Sequence, residues 1–233
     1  LVCEPARGRV RAVDLTTGAL EAAWEGLGLP SGAAAAPSAE ELYVCCAGSH
    51  AVFARDLRCR AHARVVAGVP GTAGNMKTER CGDGGDALQA RLYSPGGLAL
   101  AGDEAAVYIA DSYNGRVRAV EDGLLRTVAG ADQSAPRGNH GPATEINIGQ
   151  TRGVAWSPGF GLIVTASPAV VWRLKGSEMV PVAGTWVDGY NGDEGDALEM
   201  RLSTPCGVAC WDEQSCLFVA DSGNRRVCRV ELA

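Results

Sequence analysis

Val107-Tyr108-Ile109-Ala110-Asp111-Ser112-Tyr113-Asn114-Gly115-Arg116-Val117-Arg118-Ala119-Val120 returns 110 residues later as Leu217-Phe218-Val219-Ala220-Asp221-Ser222-Gly223-Asn224-Arg225-Arg226-Val227-Cys228-Arg229-Val230. A worn copy stands between them, Gly161-Leu162-Ile163-Val164-Thr165-Ala166-Ser167 with Val171-Trp172-Arg173-Leu174. Two more precede them: Leu42-Tyr43-Val44-Cys45-Cys46-Ala47 with Val52-Phe53-Ala54-Arg55, and Leu1-Val2-Cys3-Glu4 with Arg9-Val10-Arg11-Ala12-Val13. Self-similarity at a fixed period marks a repeat architecture, so it governs every later inference.

Other segments recur in phase. Val66-Ala67-Gly68, Val128-Ala129-Gly130 and Val182-Ala183-Gly184 each close a short apolar run. Ser94-Pro95-Gly96-Gly97-Leu98-Ala99 matches Thr204-Pro205-Cys206-Gly207-Val208-Ala209, with Thr151-Arg152-Gly153-Val154-Ala155 between. Gly82-Asp83-Gly84-Gly85-Asp86-Ala87-Leu88 and Gly192-Asp193-Glu194-Gly195-Asp196-Ala197-Leu198 precede two of them, and the copy near Gly141-Pro142-Ala143-Thr144 is degenerate. Each unit reads as a glycine-led inner strand, an apolar strand, a polar turn into an alternating strand, and an outer strand ending in Val-Ala-Gly. The alternation of Arg116-Val117-Arg118-Ala119-Val120 marks a half-buried strand, and helical periodicity is weak throughout. Four antiparallel strands repeated radially make a propeller blade, an arrangement that leaves few sheet edges unprotected. The reading is one all-β propeller domain over residues 1–233. Its four-stranded blade copies lie near 1–26, 30–68, 92–130, 147–184 and 202–233. The first lacks its inner strand and the last its outer strand.

The order Val-Ala-Gly, Gly-Asp-Gly-Gly-x-Ala, Ser-Pro-x-Gly-Leu-Ala, then Val-Tyr-Ile-Ala-Asp-Ser-x-Asn-x-Arg-Val-Arg resembles the NHL repeat family. The match is close at 82–130 and 192–233 and looser elsewhere. NHL propellers usually have six blades, whereas five copies are visible here: either these make a five-bladed propeller or they are part of a six-bladed one. The resemblance implies a recognition module set beside other domains, binding proteins and in some members RNA. RNA binding in the family looks to use a basic face. A net charge of −6 disfavours such a face, since nucleic-acid affinity rests on clustered Lys and Arg.

Two site motifs have structural readings that outweigh the functional ones. Asp111-Ser112-x-Asn114 and Asp221-Ser222-x-Asn224 read as turns, because Asp, Ser and Asn bond nearby backbone, with Arg116, Arg118 or Arg226 as partners for the aspartates. The Gly-Asp-Gly-Gly-Asp segments lack the following helix and basic residue of a phosphate loop and the terminal Glu of a calcium loop. They read as extended connections whose glycines supply positive φ.

Catalytic constellations are thin. The three histidines, His50, His62 and His140, are scattered, with no repeated carboxylate companion. The propeller-shaped zinc lyases of the peptide-amidating class hold their metal with several histidines, a set not reproduced here. Lactonase-like propellers would need Glu, Asn and Asp converging on one metal. A metal-dependent lyase or lactonase-like hydrolase using the central channel is therefore the alternative function, and no catalytic residue, cofactor or metal is assigned. The nine cysteines include Cys3 and Cys45 at positions held elsewhere by Ala110 and Ala220, which suits buried free thiols of an intracellular protein. Paired cysteines would indicate a secreted one. No apolar run approaches membrane-spanning length, and the first residues lack the pattern of a signal peptide.

In such a fold the loops from an outer to the next inner strand share a face with the turns between second and third strands. Asp83, Asp86, Tyr113, Asn114, Trp186, Tyr190, Asp193 and Asp196 would gather there as an acidic, aromatic-dotted rim suited to docking another protein or another domain of the parent chain. The competing reading folds Trp186 back over its blade. Trp156, Trp172 and Trp211 are expected to pack between blades. Differences between copies concentrate around Trp186, Tyr190 and the segment from Gly71 to Arg80.

Overall fold

The computed structural model describes residues 1–36, 41–58, 63–75, 81–102, 105–132, 134–138 and 140–232. His62, Cys59, Lys77 and the end of the segment from Gly71 to Arg80 lie outside them. The described residues form an all-β propeller with five antiparallel blades. Blade one holds β1 (Val2–Glu4), β2 (Arg9–Val13) and β3 (Leu20–Glu25), and blade two holds β4 (Pro30–Ala35), β5 (Glu41–Cys46), β6 (Ala51–Asp56) and β7 (Arg64–Ala67). Blade three runs β8 (Gly85–Asp86), β9 (Gly97–Leu100), β10 (Val107–Asp111), β11 (Arg116–Glu121) and β12 (Leu124–Ala129). Blade four runs β13 (Gly141–Pro142), β14 (Gln150–Ser157), β15 (Gly161–Ser167), β16 (Val170–Lys175) and β17 (Glu178–Ala183). Blade five is β18 (Pro205–Trp211), β19 (Cys216–Asp221) and β20 (Arg226–Glu231).

Two compact units can be distinguished. One comprises residues 1–109 with 119–126, the other 110–118 with 127–233.

Repetition extends to the irregularities. The first strand slips register by one residue between Pro30 and Gly32, between Thr151 and Gly153, and between Pro205 and Gly207. An extra residue also sits in the last strand at Ala23, Val66 and Val182. A bulge adds twist and re-aims the chain, so blades two and four leave their pleated plane at the same two places, blade one at the second and blade five at the first. Val-Ala-Gly in blades two and four is thus a bulge valine, a paired alanine and a glycine at φ +93° or +91°. A Cβ on Gly68 would lie 2.6 Å from the His50 carbonyl, so glycine is demanded twice over, by φ and by space. At the first strand the demand is close approach. A Cβ on Gly32 would sit 2.8 Å from Gly97 Cα, and beside it Ser31 Oγ donates to the Pro95 carbonyl at 2.5 Å.

The glycine-aspartate connections do more than cross between blades. Gly85 and Asp86 pair antiparallel with Leu125 and Leu124 of β12, and Gly141 and Pro142 pair with Met179 and Glu178 of β17. The outer edges of blades three and four are thereby covered by the chain on its way to the first strand, so these blades carry five strands where the sequence suggests four.

The core is built blade on blade. In the first unit Val10 and Trp24 cluster with Leu42, Val44 and Cys46, and Val52 with Ile109. In the second, Ile163 and Val171 cluster with Leu217 and Val219. Each cluster joins a third-strand valine to second-strand aliphatics of the next blade. Among the described cysteines Cys3, Cys46, Cys206, Cys210, Cys216 and Cys228 are free thiols; Cys45, Cys46, Cys81, Cys216 and Cys228 are buried and Cys206 is exposed. Burial pushes the Cys46 thiol up to about 12, so at neutral pH it is a packing group rather than a nucleophile. Trp172 is fully buried, while Trp211 stands half out of the last blade, stacked on Phe218.

Val171→Ala should cost about 1–3 kcal/mol, from lost burial plus the cavity left behind. Val227→Ala, at the equivalent but exposed position, should stay within about 0.5 kcal/mol in dilute solution. Urea denaturation of the two variants checks the pair.

Candidate functional site

The turn from second to third strand is a single 3-10 turn closed by a left-handed residue: Gly8, His50, Gly115 and Arg225 in blades one, two, three and five. The aspartate before the turn in blades three and five is completely buried. Asp111 Oδ2 accepts from Asn114 Nδ2 at 2.9 Å and from the equally buried Arg118 at 3.3 Å. Arg116 turns the other way, to Asp132 at 2.9 Å. A buried carboxylate is tolerable only with such partners. Asn114, placed on the rim by the sequence reading, is buried in this turn, where it donates to Asp111.

Asp221 does the same job with a longer reach. Its Oδ1 accepts from the Ser203 backbone N–H at 2.6 Å, and its Oδ2 accepts from Asn224 and from Arg226 Nε, each at 2.8 Å. Asn224 Nδ2 also donates to the Gly189 carbonyl at 2.8 Å. Arg226 extends further, donating to the Gly192 carbonyl at 2.6 Å, to Asp193 at 3.0 Å and to the Arg201 carbonyl at 3.3 Å. One buried carboxylate thus fixes both ends of the loop between β17 and β18. Across that loop Asn191 donates to the Glu199 carbonyl and accepts from Arg201 N–H, and Asp196 caps Leu198 N–H.

On this frame Tyr190 is 56% exposed, with the Arg226 guanidinium 4.9 Å from its ring centroid. A hydrogen bond to Asp193, assisted by partial desolvation and the carboxylate's charge, raises the Tyr190 phenol above its ordinary pKa. The ring is held from beneath and from its hydroxyl, and the rest of it faces solvent.

Trp186 takes the opposite part. Its backbone is left-handed, at φ +67°. The ring meets Trp172 edge-on at 5.5 Å, and Trp172 in turn donates Nε1–H to the Ile148 carbonyl at 3.1 Å. Arg137 covers Trp186, 5.4 Å from the ring centroid. Trp186 is half-buried over its blade, and its partners Arg137 and Trp172 were not foreseen from the sequence. Two hollows adjoin this stack. One of about 300 Å³ is lined by Pro181, Gly184, Thr185, Trp186 and Leu198, and one of about 450 Å³ by Arg137, Asn147, Gly149, Gln150, Ser167 and Pro168.

The eight proposed rim residues divide between the units. Asp83 and Asp86 lie in the first, both exposed, with Asp86 capping Leu88 N–H at 2.9 Å. Tyr113, Asn114, Trp186, Tyr190, Asp193 and Asp196 lie in the second, where Tyr113, Tyr190, Asp193 and Asp196 are exposed. Of the histidines, His50 closes a turn and accepts from Ser94 N–H at 3.1 Å through Nδ1. Among the described residues no three His, Cys, Asp or Glu side chains are grouped to hold a metal ion.

Residues 32–159, a little over half of the chain, match the model of the teneurin NHL domain. The chain belongs to the teneurin NHL domain family. No curated protein matches it over its length or in part. Among solved structures, a Bacteroides thetaiotaomicron protein of unknown function superposes with TM-score 0.67 at 13% identity, covering 98% of this NHL chain and 65% of its own. A chain of the nidogen/laminin complex gives 0.55 at 12% identity, with 97% and 91% covered. Kuenenia stuttgartiensis hydrazine synthase gives 0.51 at 15%, with 83% and 42% covered. The NHL chain thus spans less than two thirds of the first of these, and all three likenesses concern the fold.

Asp221→Ala should cost about 3 kcal/mol, because it strands Arg226 and frees Ser203 N–H together. Thermal or urea unfolding measures it, and Asp193→Ala should cost far less, its carboxylate being exposed. Spectrophotometric titration should find the Tyr190 phenol above the usual tyrosine range, and Asp193→Asn should bring it down.

Proposed function

We propose that this NHL domain is a non-catalytic platform that binds another protein, or another domain of its parent chain, through the loop between β17 and β18. The carrying observation is the contrast between Tyr190 and its supports. An exposed aromatic ring is immobilised by Arg226 and Asp193, which are themselves fixed by the buried Asp221. Aromatic side chains held rigid before binding lose little entropy on docking, and for that reason dominate the energetics of protein interfaces.

The surroundings fit a partner with a basic contact face. Asp188, Asp193, Glu194, Asp196 and Glu199 are exposed along the same loop, whereas the cation nearest Tyr190 is turned inward to its carboxylates. Opposite charge across an interface speeds encounter and fixes orientation. A binding role rather than catalysis is favoured by how the polar groups are spent: Asp111, Asn114, Arg118, Asp221, Asn224 and Arg226 are each committed to internal hydrogen bonds. The same fold occurs in a chain of the nidogen/laminin complex, an assembly of proteins.

Affinity purification with the chain as bait, followed by Tyr190→Ala and Asp188→Lys, tests the proposal. Both variants keep the Asp221–Arg226 frame, so they should fold as wild type while losing the specific partner by tenfold or more (about 1.4 kcal/mol) in affinity. Partners retained at full strength by both variants would place the interface elsewhere.

A further inference from the structure

The hollow of about 450 Å³ at the mouth of blade four differs chemically from the acidic loop beside it: none of its six lining residues carries a carboxylate. Gln150 opens β14 directly opposite Ser167 of β15, so the two side chains share a face at the base of the hollow. Arg137 stands over it, with its guanidinium 5.4 Å from the Trp186 ring centroid. The stretch that carries Arg137 is tied down where the Asn147 N–H donates to the Pro136 carbonyl at 3.1 Å. Trp186 backs the Gly149 wall, for a Cβ on Gly149 would lie 3.4 Å from its Cζ3. The guanidinium is therefore exposed yet stacked on a ring that Trp172 holds from its edge.

The polar groups of the hollow are turned to donate. Arg152 Nη2 donates to Gln150 Oε1 at 3.2 Å, and because a guanidinium has no acceptor, the free end of that amide is its NH₂. Asn147 Oδ1 is likewise taken by the Gly149 N–H at 2.9 Å, which leaves the donor end of a second amide. Among the described residues neither Arg137 nor Arg152 forms an ion pair, and Arg152 Nε is buried without a hydrogen-bond partner. Elsewhere this chain neutralises its inward arginines, as Asp111 does for Arg118 and Asp221 for Arg226. Two guanidinium charges without a carboxylate, at a hollow edged by amide and hydroxyl donors, leave an acceptor of negative charge to be supplied from outside.

We propose that this hollow binds a small organic carboxylate, seated on the Arg137 guanidinium and the Gln150 amide. Its volume is that of a site for a small molecule. Carboxylate fits better than phosphate for two reasons. Phosphate sites are built from successive backbone N–H groups, and here the Gly149 N–H is already spent on Asn147. Guanidinium and amide are instead planar forks, which match the two oxygens of a planar carboxylate. A net charge of −6 also works against more highly charged anions. None of the lining residues belongs to the Tyr190 frame, so the site stands or falls separately from the proposed function.

Titration of the ¹⁵N-labelled chain with sodium benzoate, followed by NMR, provides the test. Benzoate should shift the Trp186 indole and Gln150 amide signals saturably, in the millimolar range or tighter. Benzamide, of the same shape without the charge, and inorganic phosphate should each bind weaker by about tenfold or more. Arg137→Gln should weaken benzoate by a similar factor, and Gln150→Glu, whose new carboxylate can pair with Arg152, should abolish binding. Tyr190→Ala should leave it unchanged. Spectra of the variants away from the hollow report that they fold, and the comparison of benzoate with benzamide needs no variant at all. Absence of a saturable benzoate shift would overturn the proposal, as would benzamide or phosphate binding equally well. Benzoate binding that survives both Arg137→Gln and Gln150→Glu, or that is lost in Tyr190→Ala, would overturn it too.

Discussion

The third-strand valine of one blade resting on the second-strand aliphatic residue of the next is the contact on which the rest of this protein depends. Each strand has two faces, and a blade in the middle of the array buries both, which explains why β5, β10 and β15 read as nearly continuous apolar runs. Burial at 0% leaves no room for polar or larger residues at either position, so small variation there is aliphatic for aliphatic. Every other regularity serves that stacking. The bulges set the twist with which one sheet can lie on another, and the glycines at Gly32 and Gly97 permit first strands to approach backbone to backbone.

Where the chain leaves this apolar scaffold, buried carboxylates take over the ordering. Asp111 and Asp221 stand at the same repeat position and use the same Asn and Arg chemistry, yet their reach differs. Asp111 closes its own turn with Asn114 and Arg118. Cys228 stands where blade three has the buried Arg118, and Arg226, the equivalent of Arg116, binds Asp221 and reaches out over the preceding loop. A turn that closes on itself in one blade becomes, by exchange of one arginine for cysteine, the anchor of the preceding loop in another. Tyr190 acquires its fixed orientation and its raised phenol pKa as consequences of that exchange.

The repeat carried the architecture plainly, since identical burial demands leave identical residue patterns. Val-Ala-Gly, Gly97 and Gly207, and the aspartate turns could all be placed from their recurrence. The incomplete first and last blades could be placed in the same way. What the sequence did not show were departures made by geometry rather than residue type. Trp186 and Tyr190 looked alike as loop aromatics, but a left-handed backbone turned one onto Trp172 and left the other outside. Asn114 looked like an exposed turn residue, and the carboxylate it serves lies inside. Gly85-Asp86 had the composition of a loop and became an edge strand, because β12 offered unpaired backbone groups that composition does not record. Val227 and Val10 are the same residue in the same repeat position, and only the presence of a neighbouring face distinguishes them.

The central claim is that this propeller works by presenting the loop between β17 and β18 to a protein partner. Hydrogen exchange on the chain, free and in complex with a partner purified on it, tests that claim most directly. The account predicts new protection concentrated in residues 185–201, with the strands beneath unchanged because they are already slow to exchange. Protection that spares this segment and appears elsewhere on the chain would contradict it.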